Sequence, residues 1–153
     1  MRKLFGIILA VLAVLLLVLG FGSDVLASTY DRYLKVDYVM DGDSIVAEGK
    51  GVRYLGIDAP EYGQKGFTAA KNIDEKLVKG KKIKFAVCRE ESKDKYGRIL
   101  AFAYAGSVDV SAYMLKEGYA KLLAISPCVR GERYQELKKL EDLAKKAKKG
   151  IWK

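Results

Sequence analysis

The sequence predicts an α+β domain: a small antiparallel barrel with helices between and after its strands, preceded by an N-terminal signal or anchor helix. Three observations carry this. Five short apolar stretches are bounded by turn residues, later segments repeat apolar residues at helical spacing, and the first thirty residues hold a long uncharged run. A chain of 153 residues has room for one domain with a core of ordinary size.

In chain order, Arg2 and Lys3 precede an uncharged run from Leu4 to Gly22, and Val25-Leu26-Ala27 then offers the small residues that signal peptidase requires. The run is long for a signal peptide and long enough to cross a bilayer. Cleavage after Ala27 is the leading expectation, and an uncleaved membrane anchor is the alternative. Either way the basic start puts the rest of the chain, residues 28–153, outside the cytoplasm. The next strand is Leu34 to Met40, with Val36, Tyr38 and Met40 sharing one face. Ser44 to Ala47, a turn at 48–51 and a return strand from Val52 to Ile57 make a hairpin. Pro60 and Gly63 break the chain before Phe67, Ala70, Ile73 and Leu77 mark a helix that Gly80 ends. Ile83 to Val87 and Ile99 to Ala105 are strands separated by a charged loop, and the second closes on a turn at Gly106-Ser107. Ala112, Met114 and Leu115 mark a short helix stopped by Gly118, and Ala120 to Ile125 is apolar and extended. Finally Tyr134, Leu137, Leu140, Ala144 and Ala147 line one face of a lysine-rich helix, whose lysines read most simply as its solvated side.

The candidate chemistry sits on the hairpin. Folding it back brings Asp43 and Asp58 to neighbouring strand ends, and two carboxylates repel unless something positive lies between them. A hard cation that prefers oxygen ligands would serve. Glu61 adds a spare carboxylate. A second cluster, Asp94-Lys95-Tyr96-Gly97-Arg98, precedes a strand; Gly97 allows a tight turn and leaves Arg98 at the strand's root. Arg98 and Arg53 each present a fixed fork of donors that matches a phosphate better than lysine does. Each arginine alone reads as a surface salt bridge. Together with a cation site and a free carboxylate they form a set suited to phosphodiester hydrolysis, in which positive groups neutralise developing charge and the carboxylate handles a water.

Composition narrows the classes. The absence of histidine excludes histidine triads and His-ligated zinc. The net charge is +9; loss of Arg2, Lys3 and Asp24 on cleavage leaves 26 basic and 18 acidic residues, so the basicity belongs to the folded domain. Such an excess fits a polyanionic partner, nucleic acid or acidic membrane, or serves solubility. Cys88 and Cys128 lie too far apart for a CxxC motif. In an oxidising compartment they form one bridge, or else stand as two separate buried thiols.

The stretches DGDS, VRYLGIDAPE and DKYGR, in this order and spacing, resemble the staphylococcal nuclease (thermonuclease) family, and the similarity runs from about Leu34 to the closing Gly150-Ile151-Trp152. The resemblance implies a five-stranded OB-type barrel with three helices, and a calcium-dependent enzyme that cuts DNA and RNA with little sequence preference and leaves 3′-phosphate ends. By position, Asp43 and Asp58 match the calcium carboxylates, and Ala59 the residue lending a backbone carbonyl; the best-known member of the family has threonine there, but a carbonyl ligand tolerates alanine. Glu61 matches the general base, Arg53 and Arg98 the arginines on the scissile phosphate, and Lys95 and Tyr96 the pair contacting a terminal phosphate. It also brings Cys88 and Cys128 to one end of the barrel, which favours the disulfide. The chain departs from the family at Ala124 and Ser126, where tyrosines would stack a base; stacking is worth about 1–3 kcal/mol per base, so weaker or differently placed substrate binding follows.

Two function classes result. The first is a secreted nuclease, or a membrane-anchored one with its domain outside, acting as a monomer on single-stranded or locally melted DNA and RNA. It touches membrane only if the leader is retained. The second is a non-catalytic OB-fold module that binds nucleic acid. A binder has no need of Asp43, Asp58, Glu61 and two arginines together, so the nuclease is the expectation.

Overall fold

Eleven residues of β1 (Thr29–Val39) set the barrel's frame, because this strand is long enough to pair on both edges. It runs antiparallel to β2 (Ser44–Ala47) on one side and to β5 (Lys82–Cys88) on the other. β2 turns through Glu48 and Gly49 into β3 (Lys50–Tyr54), and β5 pairs antiparallel with β6 (Ile99–Ala105). The ring closes where β3 meets β6, with Val52, Arg53 and Tyr54 opposite Ile99, Leu100 and Ala101. This computed structural model describes residues 29–153. The expected leader, residues 1–27, lies outside them.

The closing pair is parallel, so the expected antiparallel barrel is in fact mixed. The reason is parity: strands alternating in direction around a ring of five cannot all be antiparallel, and one seam must break the alternation.

Two further differences have local causes. Leu34 and Val36 point into the core, but Tyr38 and Met40 are exposed, so these three expected face-mates separate. The register with β2 shifts between Val36 and Tyr38, and the extra residue turns Val39 inward in their place. The return strand also divides. Gly56 takes φ +82, and a side chain there would come within 2.6 Å of Leu137 Cδ1. The chain bends at this point, and β4 (Gly56–Asp58) leaves the barrel to pair antiparallel with β8 (Lys121–Leu123). A two-residue strand β7 (Val108–Asp109), unmarked in the sequence pattern, extends β6 through the turn that was expected there.

Three helices complete the domain: α1 (Phe67–Val78), α2 (Val110–Lys116) and α3 (Gly131–Lys146). The core joins Ile45, Val52, Phe85, Val87 and Ala101 of the strands to Ala70 and Val78 of α1, Met114 and Leu115 of α2, and Leu137 of α3. Each such large side chain adds about 1.5–3 kcal/mol by leaving water. α1 ends where expected: Gly80 N–H donates to the Val36 carbonyl, and Lys81 Nζ donates to the carbonyls of Lys76 and Leu77. Cys88 and Cys128 are joined in a disulfide that ties the end of β5 to the loop before α3. After α3 a 3₁₀ turn (Gly150–Trp152) folds back, with Ile151 N–H donating to the Gly118 carbonyl at 2.8 Å. Gly118 is required there, since a Cβ would lie 2.4 Å from the Lys149 carbonyl oxygen.

Candidate active site

The hairpin does bring Asp43 and Asp58 together, and the positive group between them is a side chain of the chain itself. Arg53 leaves β3 with its guanidinium 3.1 Å from Asp43 Oδ1 and 3.3 Å from Asp58 Oδ1. It also donates to the carbonyls of Tyr54 and Ile57, which the bend at Gly56 turns toward it. Two carboxylates and two carbonyls thereby fix the Arg53 side chain in place.

Asp43 is 2 % exposed. Its Oδ1 accepts from Ser44 Oγ at 2.9 Å and its Oδ2 from the Ala59 amide at 2.6 Å. Ala59, expected to contribute its carbonyl, meets Asp43 through its N–H in this structure. Burial pushes the Asp43 carboxyl up to about 7; the Arg53 charge and the Ala59 N–H oppose this, and nearby Asp41 adds to it. Gly42 makes the close packing feasible, since a Cβ there would lie 2.7 Å from Ala70 Cβ and 2.8 Å from Ala59 Cβ.

The second cluster docks on the first. Gly97 takes φ +80 in the turn that precedes β6. Asp94 then accepts from the amides of Tyr96 and Arg98 and, at 2.6 Å, from Arg98 Nε. Burial raises the Asp94 carboxyl, but the Arg98 guanidinium and the two amides outweigh it and hold the group below the usual carboxylate range. Arg98 donates from Nη1 to Ser44 Oγ at 3.3 Å. Ser44, which sequence reasoning passed over, thus links Arg98 to Asp43. Its signal was its place at the head of β2, where the register sets it opposite Arg53.

A cavity of about 420 Å³ opens beside these groups, bounded by Arg53 and Arg98, by Lys95 and Tyr96 on one side, and by Leu100 and Ile125 on the other. Tyr96 is exposed, with the Lys95 ammonium 5.0 Å and the Arg98 guanidinium 5.6 Å from its ring centre. Of the two positions without the family's tyrosines, Ala124 is exposed and Ser126 is buried against the disulfide, 3.9 Å from Cys88 Sγ. Glu61 is at the surface, its amide donating to Gln64 Oε1; its carboxylate has no hydrogen-bond or ion-pair partner among the described residues.

Among the described residues no three acidic, histidine or cysteine side chains converge as a metal cluster. Asp43 and Asp58 nevertheless fit a hard cation. They offer oxygen alone, they lie on either side of one guanidinium, and the raised Asp43 carboxyl marks a buried group whose charge Arg53 only partly offsets.

The chain is similar to known proteins over most of its length. Residues 51–153 match the family described as staphylococcal nuclease homologue. The chain is 28 % identical to a thermonuclease of Staphylococcus hyicus and 31 % identical to one of Staphylococcus intermedius, covering 96 % of this chain and 95 % of each of those. It is also 32 % identical to the SPbeta prophage-derived endonuclease YokF of Bacillus subtilis, over 76 % of this chain and 43 % of that protein.

Proposed function

Since the chain belongs to the staphylococcal nuclease family and is on that ground a nuclease, a hydrolase of phosphodiester bonds, we propose that it is a calcium-dependent enzyme cutting DNA and RNA with little sequence preference and leaving 3′-phosphate ends. The observation that carries this reading is the joining of both arginines to Asp43, directly by Arg53 and through Ser44 by Arg98.

In this reading Arg53 and Arg98 take the non-bridging oxygens of the scissile phosphate, exchanging part of their carboxylate contacts for it. Arg98 also sits beside the leaving oxygen. Glu61, exposed and without a side-chain partner among the described residues, orients a water and accepts its proton. Lys95 and Tyr96 receive a terminal phosphate at the cavity's edge. Asp43, Asp58 and the Ala59 carbonyl would hold calcium, which when bound supplies positive charge to the phosphoryl group. Each positive group stabilises charge that grows in the transition state, and loss of one such donor costs about 10²–10³ in rate.

The basic start and long uncharged run of residues 1–27 support an enzyme outside the cell, secreted after cleavage at Ala27 or held on the membrane if uncleaved, with residues 28–153 as the nuclease domain. Extracellular sites work with calcium affinities of about 10⁻⁴–10⁻³ M, so export and metal use agree. The domain acts as a monomer.

The test follows cleavage of single-stranded and duplex DNA with calcium, with magnesium and with chelator. Cutting that needs calcium supports the proposal. Binding without cutting under all three conditions would reduce the protein to a nucleic-acid-binding barrel.

A further inference from the structure

A second cavity meets the first at the Arg53–Asp58 ion pair. It measures about 180 Å³, and its wall includes Asp58, Ala59, Lys65, Lys121 and Ile151. Local structure explains each. β4 and β8 pair antiparallel with Asp58 directly opposite Lys121, so the two side chains leave the same face. Asp58 is already engaged by Arg53, and neither Lys121 nor Lys65 enters an ion pair among the described residues. Lys65 arrives from the loop after Glu61. Ile151 belongs to the C-terminal 3₁₀ turn, and it packs against Gly66 so closely that a Cβ there would lie 2.8 Å from Ile151 Cγ2.

Two ammonium groups with no ion-pair partner among the described residues therefore flank a small cleft adjoining the point where a phosphodiester would be held. We infer that this cleft holds the phosphate of the neighbouring nucleotide, on the side of the scissile bond away from the Tyr96 cavity, with Lys65 and Lys121 as its cations. The cleft is small and carries two lysines, which suits a phosphate rather than a base. Lysine, a compact charge on a flexible stem, meets a phosphate without fixing its geometry, as sequence-independent binding requires. The inference rests on the nuclease reading and deepens it: the preferred substrate is a strand running through both cavities, cut internally, and not a dinucleotide.

The double variant Lys65→Ser/Lys121→Ser in the full chain, kept in mild detergent, tests this. Lys139→Ser/Lys146→Ser, on the exposed side of α3, is the control with the same loss of charge. In chelator, binding of a labelled twelve-nucleotide strand is followed by anisotropy across salt concentrations. The slope of log Kd against log salt should fall by about 1.4 in the cleft variant, roughly 0.7 for each lysine that no longer neutralises a phosphate of the single strand, and stay near the parent value in the control. With calcium, kcat/KM for the same strand relative to a dinucleoside monophosphate, which carries only the scissile phosphate, should drop several-fold in the cleft variant alone. An unchanged slope and ratio, or equal changes in the control, would overturn the inference. A parent that binds the strand and never cuts it contradicts the nuclease reading instead, and the chelator measurement still decides the cleft.

Discussion

Arg53 has two tasks, and its substitution should separate it from the other site residues. Asp43 is almost fully buried, burial pushes its carboxyl up to about 7, and this guanidinium is the main group opposing that rise. Arg53→Ala would remove that opposing charge and the hydrogen bonds to the Tyr54 and Ile57 carbonyls; breaking a buried ion pair costs about 3–5 kcal/mol, and less where the carboxyl takes up a proton. We expect Arg53→Ala to lose both rate and several degrees of melting temperature. Glu61→Gln and Arg98→Ala should lower turnover by about 10²–10⁴ with a much smaller loss of melting temperature, because Glu61 has no side-chain partner among the described residues and the Arg98–Asp94 ion pair is partly open to water. Melting curves alongside kcat for the three variants check this; near-parent turnover in Glu61→Gln or Arg98→Ala would remove that residue from the mechanism. The residues themselves were legible because DGDS, the R-x-x-x-x-D stretch and DKYGR bunch them in short segments. Their partners were not. Spacing says that Asp43 and Asp58 need a cation between them, and it does not say that Arg53 fills the place, nor that Ser44 reaches Arg98 across 54 positions of chain.

At the scale of elements, α1 carries a buried acid that the chemistry does not use. Asp74 is fully buried and accepts from the Tyr54 hydroxyl, 3.3 Å from each of its oxygens. Burial raises its carboxyl well above the usual 3.8; the Tyr54 hydrogen bond opposes this, and Asp41, Asp43 and Glu75 raise it further. The folded protein thus holds a proton that the unfolded chain releases near pH 4, so this group's contribution to stability falls as pH rises from there through the folded value. Asp74→Asn should remove part of that decline. The melting temperature of the variant minus that of the parent should increase between pH 5 and pH 8, measured in chelator; a decrease would mean that the carboxylate is stabilised in the fold. The same scale shows where periodicity misled. Alternation along β1 holds until the register shift after Val36, and a period of two cannot announce an extra residue. The return strand from Val52 to Ile57 is continuous in apolar character, yet Gly56 at φ +82 divides it, and that bend points the Ile57 carbonyl at Arg53.

At the scale of the molecule, the barrel, three helices and the covalent link make one closed unit. The five barrel strands were legible from turn residues; the parallel seam between β3 and β6 was not, because direction is a property of the whole ring and not of any strand. The disulfide spans 40 positions, and closing a loop of that length restricts the unfolded chain by about 4 kcal/mol in the chain-entropy picture. Replacing both cysteines by serine should lower urea-unfolding stability by an amount of that order. Because the bridge and buried Ser126 anchor the loop that follows Ile125 at the cavity wall, the Michaelis constant for a strand should rise as well. An unchanged unfolding midpoint would show that the bridge adds nothing to the fold. The most direct test of the proposed mechanism is the rate of single-stranded DNA cleavage as a function of calcium, for the parent and for Asp43→Asn. The parent rate should saturate with calcium and vanish in chelator, and the folded variant should need far more calcium and turn over much more slowly. Equal cutting by the parent in chelator, or a variant with the parent's rate and calcium dependence, would contradict the mechanism.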